Sequence, residues 1–356
     1  MKRNGFTSAH HQRYRCTNYN RSHIRHYDDT SWRIRRALDW LISKNTQEET
    51  GISARSLRRD TQLLWQYLPV PCLCEEYYPI IHVDGIHLHH HAVILIAYAQ
   101  QHVLAWSVAR RECAAAYRTL FSYLPAPRVL VCDGGAGIFT AVKDCWPGTR
   151  IQRCLFHMQM NISHYTTRNP RLDAGKDLHV IMNRLPYIKN SDERSEWYAL
   201  VHQWEVKYKD FFEQMSRHAD GNYYTMHQRL YQARNILRTR IRQGNLFTYI
   251  DVKEEENLTI PPTNNAIESF NAKIRSMLRL HRGMSITHQI KAVCWYCYLH
   301  TLNPEPISQA ITRFPTNDML IAAAQKPDLT QTYGIPALYD KGIDWNDYHR
   351  STPYHP

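Results

Sequence analysis

The chain has 356 residues, of which 43% are apolar and 21% are charged, a composition typical of a globular protein with more than one small domain. This composition excludes a disordered chain, a collagen and a coiled coil. The longest apolar run, residues 92–99, is far shorter than the roughly 20 residues that span a bilayer, and the basic amino terminus lacks the apolar core of a signal peptide. The nine cysteines are scattered, which favours a reducing compartment. We therefore expect a cytoplasmic protein without a membrane anchor.

The net charge of +12 is concentrated in two stretches of the sequence. Residues 1–68 carry a net charge of +7, and residues 263–303 carry +4. A basic surface in two places suggests a polyanion that runs across both, and nucleic acid is the commonest such partner. Composition alone leaves open the alternative of a protein with a high isoelectric point and no such partner.

Residues 1–27 form a short, polar and basic segment with a single cysteine. Cys16 is followed by Thr-Asn-Tyr, where a zinc knuckle would carry a second cysteine. One cysteine cannot complete a four-ligand site, so zinc binding by this segment does not follow from these residues.

Residues 28–70 have the outline of a helix-turn-helix DNA-binding region. The first helix is indicated by apolar residues at helical spacing: Trp32, Ala37, Leu38, Leu41 and Ile42. A short helix over 47–50 precedes a tight turn and a longer helix opened by Ser53, in which Leu57 and Leu64 would pack inward. The outer face of this second helix carries the side chains expected to contact DNA: Arg55, Arg58, Arg59 and Gln62. An ordinary helical pair with a solvated arginine face is the alternative.

Residues 71–157 predict the first part of an α/β core. The expected elements are strands over 80–88, 92–99 and 103–108, a helix over 113–124, a strand over 128–132, a helix over 138–145 and a strand over 151–156. Three antiparallel strands followed by helix, strand, helix and strand describe a ribonuclease H-like layout. The remaining segments are expected to be an all-helical insertion (158–258), the final core helix (259–303) and a carboxy-terminal extension (304–356).

Two aspartates occupy unusual positions at the ends of apolar strands. Asp84 ends the run IIHVDG, and Asp133 ends the run VLVCDGG. A carboxylate at the end of a buried strand is costly unless a positive charge meets it, and a divalent metal ion is the usual solution. The alternative is a turn, since Asp-Gly commonly ends a strand. Two such aspartates on adjacent predicted strands weaken that alternative.

Glu268 is the only acid among residues 263–303, and it lies in the predicted helix TNNAIESFNAKIRSMLRLHRG. It begins a polar row along one helical face, which continues through residues expected to face DNA: Asn271, Arg275, Arg279 and Arg282. Asn265 and Glu268 also have capping-box spacing, so Glu268 could merely cap its own helix. Three acids held close together by two strand ends and one helix would suit Mg²⁺ or Mn²⁺ and phosphoryl transfer with two metal ions.

Four motifs together resemble the Mutator-like DDE transposases of bacterial insertion sequences. They are VDG with Asp84, VCDGGAGI with Asp133, RCLFHMQMN with Cys154 and His157, and TNNAIESFNAKIR with Glu268. The resemblance covers nearly the whole chain, and the last two motifs are more specific than three acids alone. A separation of 49 residues between the aspartates and of 135 residues from Asp133 to Glu268 agrees with a helical insertion before the last acid in this family.

The resemblance implies a catalytic function for this chain. Asp84, Asp133 and Glu268 would be the metal-binding catalytic triad of an enzyme that cleaves double-stranded DNA at the ends of its own element and joins them to target DNA. Cys154 and His157 would have a structural or DNA-positioning role, and zinc binding there would need two further ligands. Residues 1–27 would be the remnant of a zinc ribbon, and a homodimer or higher multimer would process the two element ends. A bacterial protein of this kind would be cytoplasmic and associated with the nucleoid.

Two other functions remain open at this stage. One is a non-catalytic DNA-binding protein from a decayed or domesticated element, which would keep the basic surfaces and need none of the three acids. The other is a nuclease that hydrolyses DNA without joining it.

Overall fold

The computed structural model describes residues 1–8, 10–24, 28–217 and 222–324. The chain divides into two compact units, of which the first comprises residues 1–67 and 305–314 and the second comprises residues 68–304 and the chain from 315 onward. The part of the predicted carboxy-terminal extension beyond residue 324 lies outside the described residues. The first ten residues of that extension after Pro304 belong to the amino-terminal unit.

The first unit combines a small antiparallel sheet with helices. Its elements up to residue 67 are β1 (Lys2–Phe6), β2 (Gln12–Arg15), β3 (Ser22–Ile24), α1 (Thr30–Ile42) and α2 (Ala54–Leu64), with a 3₁₀ turn at Glu48–Thr50. Gly51 adopts a left-handed conformation (φ 66°), and the side chain of Ser53 accepts a hydrogen bond from the Ser56 amide at the start of α2. Leu57 and Leu64 are buried, as predicted.

Helices α1 and α2 are joined by a buried carboxylate. Asp60 is 1% exposed and accepts hydrogen bonds from Arg33 Nε (2.9 Å) and Arg36 Nε (2.6 Å), so two cations on α1 compensate its charge. Trp32 differs from the prediction: it is 57% exposed, and the guanidinium of Arg36 lies 4.3 Å from its ring centroid. The prediction that Trp32 belongs to the apolar face of α1 is therefore wrong. Its ring packs against a cation instead of in the core.

The second unit is built on a five-stranded mixed sheet. Its first elements are β4 (Ile80–Leu88), β5 (Ala92–Ala99), β6 (His102–Ala109), α3 (Ala114–Phe121), β7 (Val129–Cys132), α4 (Ala136–Cys145) and β8 (Arg150–Arg153). The strand order is β6-β5-β4-β7-β8; β5 pairs antiparallel with both β4 and β6, whereas β7 runs parallel to β4 and β8. The predicted order of strands and helices is thus confirmed. The last strand ends three residues before the predicted Phe156, because Leu155, Met158 and Ile162 already follow a buried helical stripe.

The remaining elements are mostly helices. In the second unit they are α5 (Leu155–Thr166), α6 (Asp173–Arg184), a 3₁₀ turn (Leu185–Tyr187), α7 (Ser191–Lys207), α8 (Lys209–Glu213), β9 (Met215–Arg217), β10 (Tyr223–Thr225), α9 (Gln228–Gln243), α10 (Thr248–Glu256), α11 (Asn265–Leu280), α12 (Ile286–Leu299) and α14 (Asn317–Ala324). The short helix α13 (Ile307–Ala310) belongs to the first unit. The insertion is therefore not all-helical, since β9 and β10 form an antiparallel pair within it. Each has three residues, too few to produce a recognisable alternation in the sequence.

Two apolar clusters cover the two faces of the large sheet. Val83, Leu130 and Cys132 pack with α3 and α4, whereas Val129 and Val131 pack with α5 and the helices of the insertion. This division follows from the alternation of side chains along a strand. All nine cysteines are free thiols. Among the described residues, no helix has both the length and the apolar character needed to cross a bilayer.

Candidate active site

The parallel strands of the sheet bring the two predicted aspartates to the same level. Strand β4 pairs with β7 so that Ile80 is opposite Val129 and His82 is opposite Val131, an offset of 49 residues in each pair. The same offset separates Asp84 from Asp133, two residues farther along both segments. Because neighbouring strands are about 4.8 Å apart, this register brings the two aspartates level with each other, with Asp84 within β4 and Asp133 directly after β7. Asp84 therefore does not end its strand, contrary to the prediction from the sequence.

A third residue continues this row on the neighbouring strand. Cys132 is opposite Arg153 on β8, and the backbone N–H of Cys154 donates to the carbonyl oxygen of Cys132. Continuing that register places Cys154 level with Asp133. Asp84, Asp133 and Cys154 thus follow one another across three parallel strands.

Helix α11 lies across this row. Near its start, Glu268 Oε1 accepts from the Cys154 thiol over 3.8 Å and lies 3.5 Å from His157 Nδ1. One turn later, the side-chain amide of Asn271 donates to Asp84 Oδ2 over 2.7 Å. Since Glu268 contacts one end of the row and Asn271 the other, Asp133 lies beneath the helix between them.

The start of α11 is attached to the sheet by Asn264. Its buried side chain donates to the carbonyl oxygen of Val83 (3.1 Å) and contacts His82 Nδ1 (2.9 Å). Asn264 is the residue at the amino-terminal cap, and its side chain makes no capping hydrogen bond. The carboxylate of Glu268 contacts Cys154 and His157 instead of the helix start, so the capping alternative does not describe its contacts.

The carboxylates of this site influence each other electrostatically. Burial raises the pKa of Asp84, and the negative charge of Asp133 raises it further. The Gly85 amide, the Asn271 side chain and Arg275 act in the opposite direction. When two carboxylates lie near each other and are partly removed from water, the ionised state of each is disfavoured unless a cation lies between them.

Glu112, which was not identified from the sequence, is a fourth carboxylate at the site. Burial raises the pKa of Glu112, and the charges of Asp133 and Asp84 add to this effect. Its oxygens contact the Tyr117 hydroxyl (3.2 Å) and His87 Nε2 (3.1 Å). A side chain at Gly85 would overlap Oε1 of Glu112, so the glycine after Asp84 leaves room for this carboxylate. In the sequence, Gly85 was a signal that another group approaches closely here. Only the fold identifies that group as Glu112.

The turn that carries Asp133 is held by a buried arginine. Gly134 has φ +89°, and a Cβ at this position would overlap the guanidinium of Arg153. Arg153 is 2% exposed and donates to the carbonyl oxygen of Asp133 (3.0 Å) and to Asn245 Oδ1 (3.3 Å). Burial, together with the charge of nearby Arg240, lowers the pKa of Arg153 to about 10. The first glycine of VCDGG is therefore required by both its conformation and its neighbour.

Cys154 and His157 lie within the candidate site. One donor atom from each and one from Glu268 all lie within 4.8 Å of one another. The pKa of His157 is raised to about 9, first by the Cys154 side chain and then by the negative charges of Glu268 and Asp133, while burial acts in the opposite direction. The RCLFHMQMN motif, which contains both residues, is thus in direct contact with the third predicted acid.

Comparison with known families identifies the chain. Residues 75–288 match the family model described as Transposase, Mutator family, which is more than half of the 356 residues. The chain belongs to the Mutator family of transposases. No curated protein matches it. The match includes all four carboxylates, Cys154, His157 and the start of α12, whereas residues 1–67 of the first unit lie outside it.

The predicted DNA-contacting residues of this Mutator-family transposase fall into two groups. Arg275, Arg279 and Arg282 are exposed on or just after α11. Asn271 differs from the prediction: it is 0% exposed, and its amide is bonded to Asp84. It follows Glu268 by three residues and lies nearer the sheet, because its neighbours Phe270 and Ile274 belong to the buried face.

The exposed face of α2 in this Mutator-family transposase is basic, as the sequence indicated. Its exposed side chains include the four predicted to contact DNA: Arg55, Arg58, Arg59 and Gln62. Their contact with DNA remains a prediction. Sequence reasoning also did not single out Arg240, on α9, whose charge acts on Arg153 behind Asp133.

Proposed function

We propose that the protein is a DDE transposase of a bacterial insertion sequence, which cleaves double-stranded DNA at the ends of its element and joins those ends to target DNA. One observation carries this proposal: α11 brings Glu268 over the row that contains Asp84 and Asp133. Membership of the Mutator family supports a function in transposition. Three acids from separate parts of the chain meet the structural requirement of phosphoryl transfer with metal ions.

We further propose that the second unit has a ribonuclease H-like core. Its sheet order, with the first three strands antiparallel and the last two parallel to the first, supports this assignment. The helical insertion separates β8 from α11 in the chain, and α11 nevertheless returns to β4 through Asn264.

The residues of the site fit Mg²⁺ or Mn²⁺. Their charged donor atoms are carboxylate oxygens, which these hard cations prefer. Oδ1 of Asn271 is buried without a hydrogen-bond partner among the described protein atoms, and a buried acceptor of this kind calls for a ligand or a water molecule. Asp84, Asp133 and Glu268 would hold the ions. The chemistry supplied by a bound pair of ions is activation of the attacking water or 3′-hydroxyl and stabilisation of the leaving oxygen.

The protein's own residues would position the reacting groups. Asn271 orients the Asp84 carboxylate through its 2.7 Å hydrogen bond, and Arg153 holds the backbone of Asp133. The exposed arginines Arg275 and Arg279 would contact the DNA backbone beside the site, since guanidinium groups match phosphate geometry. A rigid sheet and an attached helix limit the movement of all three acids.

We propose that α1, the turn at Gly51 and α2 form a helix-turn-helix region that binds the terminal repeats. The left-handed turn and the cap at Ser53 support this, as does the exposed basic face of α2. Because two element ends must be processed together, we expect a homodimer or higher multimer on DNA.

The decisive experiment is DNA cleavage by the purified full chain. The substrate is DNA carrying inverted repeats that flank the reading frame, with Mg²⁺ or Mn²⁺. We expect Asp84→Asn, Asp133→Asn and Glu268→Gln to abolish cleavage while DNA binding persists. Asp144→Asn, a half-exposed aspartate of α4 paired with Arg118, serves as the matched control and should cleave like the parent.

Three outcomes separate this proposal from its alternatives. Cleavage by Glu268→Gln at the parent's rate would remove the catalytic assignment. Binding that persists in chelator, without nicking in Mg²⁺, would favour a non-catalytic DNA-binding protein. Cleavage without strand transfer of precut ends would indicate a nuclease.

A further inference from the structure

Three different kinds of metal ligand converge at one end of the candidate active site. They are the thiol sulfur of Cys154, the imidazole nitrogen of His157 and a carboxylate oxygen of Glu268, and all three atoms lie within 4.8 Å of one another. Cys154 immediately follows β8, His157 lies in the first turn of α5, and Glu268 lies in the first turn of α11. This combination is not the all-oxygen set that Mg²⁺ prefers, because soft sulfur and imidazole nitrogen select zinc-like ions.

The distances between these atoms are close to those of a tetrahedral zinc site. Bonds of about 2.3 Å to sulfur and about 2.0 Å to nitrogen and oxygen, at tetrahedral angles, separate sulfur from oxygen by about 3.5 Å and nitrogen from oxygen by about 3.3 Å. The observed distances are 3.8 Å from Cys154 Sγ to Glu268 Oε1 and 3.5 Å from His157 Nδ1 to the same oxygen. Movements of a few tenths of an ångström would bring both pairs to these separations, and the third pair, Cys154 and His157, has its donor atoms within 4.8 Å.

The surroundings of the three residues also suit an ion. Nδ1 of His157 is buried, and among the described protein atoms it has no hydrogen-bond partner of ordinary geometry. The backbone N–H of Asn264 donates to Cys154 Sγ over 3.3 Å, an outer contact of the type that orients thiolate ligands. The side chains of His157 and Glu268 are 33% and 26% exposed, so an ion can enter from solvent and keep a water as its fourth ligand.

We propose that Cys154, His157 and Glu268 form a binding site for one soft divalent ion, with Zn²⁺ as the expected occupant. An ion requires a thiolate and a neutral imidazole, so binding would release the thiol proton of Cys154 and the additional ring proton of protonated His157. One consequence rests on the proposed function. If Glu268 binds Zn²⁺, it is no longer available to the pair of hard cations, so Zn²⁺ would inhibit Mg²⁺-dependent cleavage. The site itself is independent of that function and can be tested without DNA.

The test is titration of the full-length, metal-free protein with Co²⁺, a spectroscopic substitute for Zn²⁺. We expect a thiolate-to-cobalt charge-transfer band and a tetrahedral visible spectrum, both removed by added Zn²⁺. Cys154→Ser and His157→Gln should each lower the affinity by more than about 100-fold, since changes even to outer residues of a metal site cost about 10–100-fold. Glu268→Gln should lower it as well. Cys16→Ser and Cys145→Ser, which change thiols outside the cluster, should keep the parent's spectrum.

The outcomes are distinct from those of the cleavage assay. A parent protein without a charge-transfer band, or a band unchanged in Cys154→Ser, overturns the site. Circular dichroism of each variant shows whether a loss of metal binding comes from the missing ligand or from unfolding. Because His157 is partly exposed, its replacement should disturb the core least. A bound ion in a protein that cleaves no DNA would support the site while counting against the transposase reaction.

Discussion

The side-chain amide of Asn271 donates a 2.7 Å hydrogen bond to the carboxylate of Asp84, one helical turn beyond Glu268. This bond joins α11 to the central strand of the sheet from a side chain that is 0% exposed. Asn271→Ala would leave a buried carboxylate without its donor, so we expect the free energy of unfolding to fall by about 2 kcal/mol. The rate of cleavage should fall as well, because Asp84 loses its orientation.

Urea unfolding and cleavage rates measure both effects. Ser269→Ala, an exposed change on the same helix, should match the parent. An unchanged rate in Asn271→Ala would argue against a positioning role.

Gly134 is the second residue whose replacement tests the site. Gly134→Ala combines a positive φ of +89° with overlap against the Arg153 guanidinium. We expect a loss of about 1–3 kcal/mol in the free energy of unfolding, together with slower cleavage, since Asp133 precedes the distorted residue. Gly148→Ala is the control, because a Cβ there meets no atom within 4 Å. If chemical denaturation gives equal stability for both variants, the close approach of Arg153 is not as described.

Asp60 supports the proposed DNA-binding region without facing DNA. Asp60→Asn would remove the charge that compensates Arg33 and Arg36, and breaking such a buried ion pair costs about 3 kcal/mol. We expect a lower melting temperature and weaker binding to terminal-repeat DNA. Asp39→Asn, an exposed change on α1, should affect neither. A fully stable Asp60→Asn protein would contradict this account of how α1 and α2 are held together.

The exposed arginines of α11 are expected to act through phosphate charge. Each phosphate contact contributes about 0.9 to the slope of the logarithm of the binding constant against the logarithm of the salt concentration. Replacing Arg275 and Arg279 by alanine should therefore reduce the slope by about 2. Fluorescence anisotropy in a salt series measures it, with Lys176→Ala on α6 as the control. A slope equal to the parent's would exclude both arginines from the DNA interface.

His157 predicts a pH dependence of stability. Its pKa in the folded protein is about 9, above the ordinary value of 6.5. A raised histidine pKa means that the protonated form stabilises the fold, fully below pH 6.5 and progressively less as the pH rises through 9. Melting temperatures of the parent and His157→Gln, measured in chelator, should therefore differ most at low pH and converge near pH 9. His202→Gln, an exposed change on α7, should give a constant difference across the same range.

The sequence predicted the elements of the core, the strand end that carries Asp133 and the helix that carries Glu268, because alternation and helical periodicity are local patterns. The assignment of Asp84 to a strand end was wrong: it lies within β4, opposite Ile96 of β5, and the strand continues to Leu88. Glu112 and Arg153 were not identified as parts of the site, since each comes near Asp133 through contacts between residues remote in the chain. Asn271 was assigned to the correct helix, but it was expected to face DNA and instead contacts Asp84. Periodicity gives a face of a helix, whereas the residues that cover that face depend on the tertiary fold.

The attachment of Asn264 to β4 has a consequence for natural variation in this protein. Asn264 anchors α11 four residues before Glu268, and an α-helix turns by about 100° per residue. A single-residue deletion between them would swing the carboxylate a quarter of the way round the helix, away from the aspartates. Length changes in the exposed loops of the insertion carry no such rotation, so homologues should tolerate indels there and reject them over this four-residue interval.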